Sequence, residues 1–192
     1  MTNPPSPGAA PTAPTPPIVT WTERLEATTA LDPVVRAVRP LANALVSDPN
    51  RRDLLRGAWL GHAVHPLLTD LPIGLWTSAL TLDLVGGAPA RPAARRLMGL
   101  GVLLFVPTAL TGWAEWSGIE TRDQRVGVVH AVANAVAALG FAASWRARSR
   151  GRVLRGKALG LTSASVLGVG GYLGGHLVSA RKVSSRNLAF DG

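Results

Sequence analysis

The chain contains no cysteine, which excludes disulfides, thiolate metal sites, cysteine nucleophiles and cysteine-held iron–sulfur clusters. Charge is scarce as well: Asp, Glu, Lys and Arg make up 16% of 192 residues, against 47% hydrophobic. Hydroxyl residues such as Ser184 and Ser185 show no nucleophile–base spacing, and no Gly-rich phosphate loop follows a strand pattern. No catalytic activity of the chain's own is expected. Residues 1–20 lack any charged side chain and hold seven prolines, so they are expected to be disordered. They also lack the basic and apolar regions of a signal peptide.

What the chain does have is four long apolar runs, at about 64–85, 97–113, 126–145 and 158–178. A helix needs about 20 apolar residues to cross the roughly 30 Å hydrocarbon layer, and in these runs apolar residues occupy every face. The expected fold is an all-α membrane protein, an up-and-down four-transmembrane-helix bundle over 59–182, with a disordered Pro-rich N-terminus. Residues 183–192 form a short tail. Between the tail of 1–20 and the bundle, 21–58 reads as short amphipathic juxtamembrane helices. Two of them start at Asp32-Pro33 and Asp48-Pro49, an acidic cap followed by proline. Val34, Val38, Leu41 and Leu45 then recur at helical spacing, Arg36 and Arg39 face away from that stripe, and Pro40 kinks the helix. Trp59, Trp113, Trp116 and Trp145 are placed as interfacial belt residues.

The net charge of +9 would suggest nucleic acid in a soluble protein, but here the arginines sit beside hydrophobic runs, so the partner is a lipid bilayer and no nucleic acid is expected. The first loop carries Arg91, Arg95 and Arg96 and the third carries six basic residues, neither with an acid. The middle loop has only Arg122 and Arg125 against three acids. The positive-inside rule puts the first and third loops in the cytoplasm and both termini outside.

In an up-and-down bundle every histidine falls towards one membrane face. His62 and His65 open the first span, His130 lies about one turn into the third, and His176 is in the last turn of the fourth. Asp70, Glu115, Asn134 and Tyr172 share that leaflet, and the i, i+4 pairs His130/Asn134 and Tyr172/His176 can each point at one interior. Ionisable groups inside a span are costly and usually find a partner, so these residues are expected to form one polar cluster. Asp83, near the other end, reads as a helix-end partner. The glycines from Gly168 to Gly175 leave part of the fourth helix without side chains, which allows close approach of its neighbours.

Several short motifs carry a resemblance. Gly61-His62-Ala63-Val64-His65-Pro66-Leu67-Leu68 and Leu71-Pro72-Ile73-Gly74, then Thr111-Gly112-Trp113, Arg125-Val126-Gly127 with His130 and Asn134, and Tyr172-Leu173-Gly174-Gly175-His176 resemble a bacterial membrane-protein family called domain of unknown function 2231, over about 21–182. The first signature of that family commonly reads Gly-His-Pro-x-His-Pro, and Ala63 stands where the first proline would be. The resemblance implies a multi-pass protein of a bacterial inner membrane. Some relatives carry a Rieske-type iron–sulfur domain, which implies an electron-transfer setting. With no cysteine here, that domain is expected to be absent and a redox role would need a separate redox protein or a cofactor held by histidine.

Three functions stay open. The first is a cofactor-binding subunit in which His130, with His65 or His176, ligates a b-type haem or, failing that, a metal. The second is a structural or assembly protein, with a homo-oligomer as one form open to it, whose polar cluster fastens the helices. The third is a small proton-coupled transporter or channel titrating Asp70, Glu115 and His130.

Overall fold

The computed structural model describes residues 16–184, and among them all regular structure is helical. Three short helices, α1 (Pro17–Ala27), α2 (Asp32–Leu45) and α3 (Pro49–Arg56), precede four long ones, α4 (Val64–Val85), α5 (Arg91–Trp116), α6 (Thr121–Ser149) and α7 (Val153–Ser179). The expectation of disorder for 1–20 lies outside the described residues over 1–15. It is corrected at Pro17, which opens α1: proline at the first turn lacks only an N–H that would have no helical partner there. The tail at 183–192 lies outside the described residues beyond Ser184.

Helix α4 has the expected bounds, whereas α5, α6 and α7 run several residues past the apolar runs at their ends. The reason is length: 29 residues of α6 extend about 43 Å at 1.5 Å each, more than the hydrocarbon layer, so the polar ends stay helical beyond the apolar stretch. Helices α5 and α6 are each long and apolar enough to cross a membrane. Only 28% and 33% of their apolar windows are buried within the chain, unlike the core helix of a soluble domain, which is mostly enclosed.

The four long helices pack as antiparallel neighbours, α4 against α5, α5 against α6, α6 against α7, and α7 back against α4. The two hairpins use one register. Buried positions of α4 recur in α6 at a constant offset of 65 residues: Pro72 and Ala137, Trp76 and Phe141, Ala79 and Ser144, and the buried side chains of Asp83 and Arg148. Those of α5 recur in α7 at an offset of 62: Ala94 and Gly156, Met98 and Gly160, Gly101 and Ser163, Thr108 and Gly170, Thr111 and Leu173. Two of the α4–α6 pairs touch across the centre. Trp76 stacks on Phe141 with centroids 4.2 Å apart, and Asp83 pairs with Arg148. This is the pattern that an approximate two-fold between two copies of a hairpin produces. The indole of Trp76 lies against Gly101, where a Cβ would collide with it, and its N–H donates to the Met98 carbonyl at 3.3 Å.

Helices α1 and α2 lie along α6, and α2 and α3 along α5. Asp48 caps α3 by accepting from the Arg51 N–H at 2.8 Å, and Gly57 closes it in the left-handed conformation at φ 78°. The packed edge of α2 is Val35, Val38 and Ala42, set against Trp116 and Val128, while Val34 and Leu41 are exposed. Arg39 does not face away as expected: it reaches α6, donating to Gln124 at 2.7 Å and Thr121 at 3.2 Å. Trp116 is a correction among the belt tryptophans, since it is buried and donates to the Gln124 carbonyl at 2.9 Å. Trp59 and Trp145 are exposed.

Candidate functional site

His65 stands in the first turn of α4, and its Nδ1–H donates to the Thr108 carbonyl of α5 at 3.0 Å, with Thr111 Oγ1 at 3.1 Å. Thr111 directs its own hydroxyl proton to the same carbonyl at 2.7 Å, so its oxygen is left to accept. A carbonyl can only accept, so Nδ1 carries the proton and Nε2 of the neutral ring carries a lone pair. That Nε2 has no hydrogen-bond partner among the described residues.

His130 repeats the arrangement on the other hairpin. Its Nδ1–H donates to the Gly170 carbonyl of α7 at 2.8 Å, which again leaves the lone pair on Nε2. In both hairpins a glycine follows the accepting carbonyl by four residues, and the ring lies on it: a Cβ on Gly112 would come within 2.8 Å of His65 Cε1, and one on Gly174 within 2.8 Å of His130 Cε1. A charge on the His130 ring would be felt at His65. Asn134, one turn along α6, has Nδ2 3.1 Å from His130 Nε2 and 3.3 Å from Nδ1. Because Nδ1 is already a donor, the amide can donate only to Nε2.

The expected polar cluster is smaller than the sequence suggested. Asp70 is exposed on the outer face of α4 and makes no hydrogen bond or ion pair among the described residues. Five residues after His65, it sits about 140° round the helix, a phase that a helix apolar on all faces leaves unmarked. His176 does not join His130 either. Its Nε2–H donates to Glu26 of α1 at 2.6 Å, and the Tyr172 hydroxyl is hydrogen-bonded to Thr22 of α1 at 3.3 Å. Glu115 lies near Ser184 and the Arg56 charge. Only His65, His130 and Asn134 remain together, with Thr108 and Thr111. Among the described residues no group of three or more His, Asp or Glu could hold a metal ion.

Two polar centres escaped the sequence reading in whole or in part. Glu26, buried in α1, collects Arg122 Nε at 2.7 Å, Arg181 Nε at 2.6 Å and His176. Its partners lie about a hundred residues or more away, and no local spacing marks it. Asp83 does take helix-end partners, but as a buried pair rather than a surface one. Arg148 Nη1 and Nη2 meet its two oxygens at 2.8 and 2.5 Å, and Lys157 Nζ donates to its backbone carbonyl at 2.6 Å. The offset of 65 residues shared with His65 and His130 was the signal that could have found it.

Residues 61–187 match the family described as predicted membrane protein DUF2231. The chain belongs to that family. The match starts three residues before α4 and takes in His65, His130 and His176, whereas α1 to α3, and with them Glu26, precede it. The DUF2231 region is thus the pair of equivalent hairpins. No curated protein and no solved structure matches the chain.

Proposed function

We propose that this DUF2231 protein is a four-span subunit of a bacterial inner membrane that holds a b-type haem between His65 and His130 and passes electrons to a separate redox protein. The observation that carries the reading is the matched anchoring of the two rings. Each Nδ1–H is fixed by a carbonyl of the neighbouring helix, which leaves two Nε2 lone pairs on equivalent positions of α4 and α6. The donor set fits haem better than a bare metal ion. A protein zinc or copper site takes three or more side-chain ligands, whereas the porphyrin supplies four nitrogens and asks the protein for two axial ones. Gly112 and Gly174 let the imidazoles lie flat against the helix backbones. When bound, the haem would supply one-electron chemistry, and the chain would orient the two imidazoles through their Nδ1–H bonds.

Membrane insertion is supported by the outward apolar surfaces of α5 and α6 and by exposed Leu67, Leu71, Leu84, Leu161 and Val169 on α4 and α7. The basic turns between α4 and α5 and between α6 and α7 favour a cytoplasmic side for both, with the termini outside. Single cysteines at Arg150 and at Gly118, labelled in intact cells by an impermeant thiol reagent, test that orientation. Labelling at 150 would reverse it.

A second reading, a structural membrane protein without cofactor, is favoured by Asn134, which already occupies His130 Nε2. One experiment separates the two. Protein purified in detergent should show a Soret band that His65→Ala and His130→Ala abolish and Asn134→Ala keeps. The absence of any Soret band, together with loss of stability in Asn134→Ala, would leave the structural reading standing.

A further inference from the structure

The stretch from Arg146 to Lys157 carries six basic residues and no acid, and the structure divides them. Arg148 and Lys157 turn inward to Asp83, Arg148 on its carboxylate and Lys157 on its backbone carbonyl. The side chains of Arg146, Arg150, Arg152 and Arg155 make no hydrogen bond or ion pair among the described residues, yet all four line one crevice where α6 turns into α7. Topology alone requires positive charge on this side of a membrane. It does not require four arginines without a hydrogen bond or ion pair among the described residues to line one crevice.

The crevice has a volume of about 150 Å³, room for a small tetrahedral anion and below the roughly 300–1,000 Å³ of a site for a drug-sized molecule. Its other walls are apolar and include Ala143 and Leu159. On the outer face of α6 an apolar ridge descends into it at helical spacing, Val132, Val136, Leu139 and Ala143, all exposed, ending at Arg146 and Arg150. The N-terminus of α7 opens on the same turn without a side-chain cap, so its first N–H groups add to the positive field.

We propose that this crevice binds a phosphate-bearing anion, with the adjoining apolar ridge favouring the headgroup of an acidic phospholipid over free phosphate. A ridge that runs from apolar to basic matches an acyl chain leading to a charged headgroup, and guanidinium forks match phosphate oxygens in pairs. The inference rests on the membrane-span part of the proposed function and is independent of haem.

The test uses the full chain, purified in phosphatidylcholine nanodiscs with graded fractions of phosphatidylglycerol, with native mass spectrometry to count retained lipids. A parallel arm titrates inorganic phosphate and follows thermal melting in detergent. The wild type should retain phosphatidylglycerol in preference to phosphatidylcholine. Arg150→Gln with Arg155→Gln should weaken that retention about 30-fold, taking roughly a fivefold effect for each arginine. Arg150→Lys with Arg155→Lys should keep most of it. Arg91→Gln with Arg95→Gln removes equal charge from the other turn, where these arginines line a second crevice with Arg148 and Val153, and should weaken retention clearly less. Phosphate that raises the melting temperature of the wild type but not of the Gln variant would identify free phosphate as the source. Neither probe binding, or both Gln pairs weakening lipid retention equally, would overturn the proposal. Release of the chain from membranes by carbonate would instead count against the membrane-span reading, and the phosphate arm would still decide whether the crevice takes an anion.

Discussion

Asp83 and Arg148 occupy equivalent positions of α4 and α6 and meet through both carboxylate oxygens, with side chains 6% and 4% exposed. A fully desolvated ion pair adds little to stability relative to apolar residues of the same volume, but breaking it leaves a charge with nothing to offset burial. Asp83→Ala should therefore cost about 3–5 kcal/mol. Asp83→Leu combined with Arg148→Met should cost clearly less than the sum of the single substitutions. Thermal melting of the four proteins in one detergent measures the coupling, and additive losses would show that the two side chains do not depend on each other.

The glycines of α7 divide by what faces them. A Cβ on Gly174 would press on His130, and the ring could escape only by leaving the Gly170 carbonyl, so Gly174→Ala should destabilise by roughly 1–3 kcal/mol, the usual cost of overpacking. Gly112→Ala should do the same at His65. Gly168 and Gly171 have nothing within 4 Å, and alanine there should be neutral or stabilising by up to about 1 kcal/mol through helix propensity. Equal melting temperatures for Gly174→Ala and Gly171→Ala would mean that the close contact at His130 does not exist.

Element type and position were legible because long apolar runs have few alternatives, and α4 coincides with its expected range. Helix phase was not. A helix apolar on every face carries no polar stripe, so nothing local separated His65, turned inward, from Asp70, turned outward. The split between His130 and His176 had a different cause. His176 is taken by Glu26, and the docking of α1 on α6 that brings Glu26 there is a long-range contact which composition does not encode. The repeat was present in the sequence as a spacing, but its partners differ chemically: Trp76 answers Phe141, and Asp83 answers Arg148. An approximate two-fold that brings unlike residues together leaves that spacing as its trace in the sequence, without a matching residue type.

Acid should loosen α2 in a defined window. The Arg125 guanidinium hydrogen-bonded to Asp32, with Arg36 and Arg39 nearby, holds the Asp32 carboxyl below its ordinary value of 3.8. A depressed folded-state value means that the pair's contribution is fully present above the unfolded value and is lost as pH falls through the folded one. Hydrogen exchange of α2 should therefore be constant from neutral pH down to about 4, after correction for the intrinsic rate, and rise only below that. Asp32→Asn should remove this acid-dependent step, and a step that persists in the variant would assign it to another carboxylate.

Glu26 should act as the clasp that holds α1 to the long helices. It is buried at 2% exposure, and it gathers Arg122 from α6, His176 from α7 and Arg181 just beyond it. Other contacts at this end of α1 are Arg125 Nη1 donating to the Glu26 backbone carbonyl at 2.8 Å, Thr22 beside Tyr172, and Leu25 packed beside Val126 and Leu177. Glu26→Ala removes charge-assisted hydrogen bonds worth about 1.5–3 kcal/mol, and its partners, unlike Arg148 deprived of Asp83, can turn towards water: Arg122 is already half exposed. The loss should therefore stay local. Limited proteolysis should cut Glu26→Ala faster within 17–31, while the melting of the α4–α7 hairpins moves little. Glu26→Gln, which keeps the shape and loses the charge, should fall between the two. A variant that melts several degrees lower with α1 still protected would show that Glu26 supports the hairpins themselves rather than the helix laid across them.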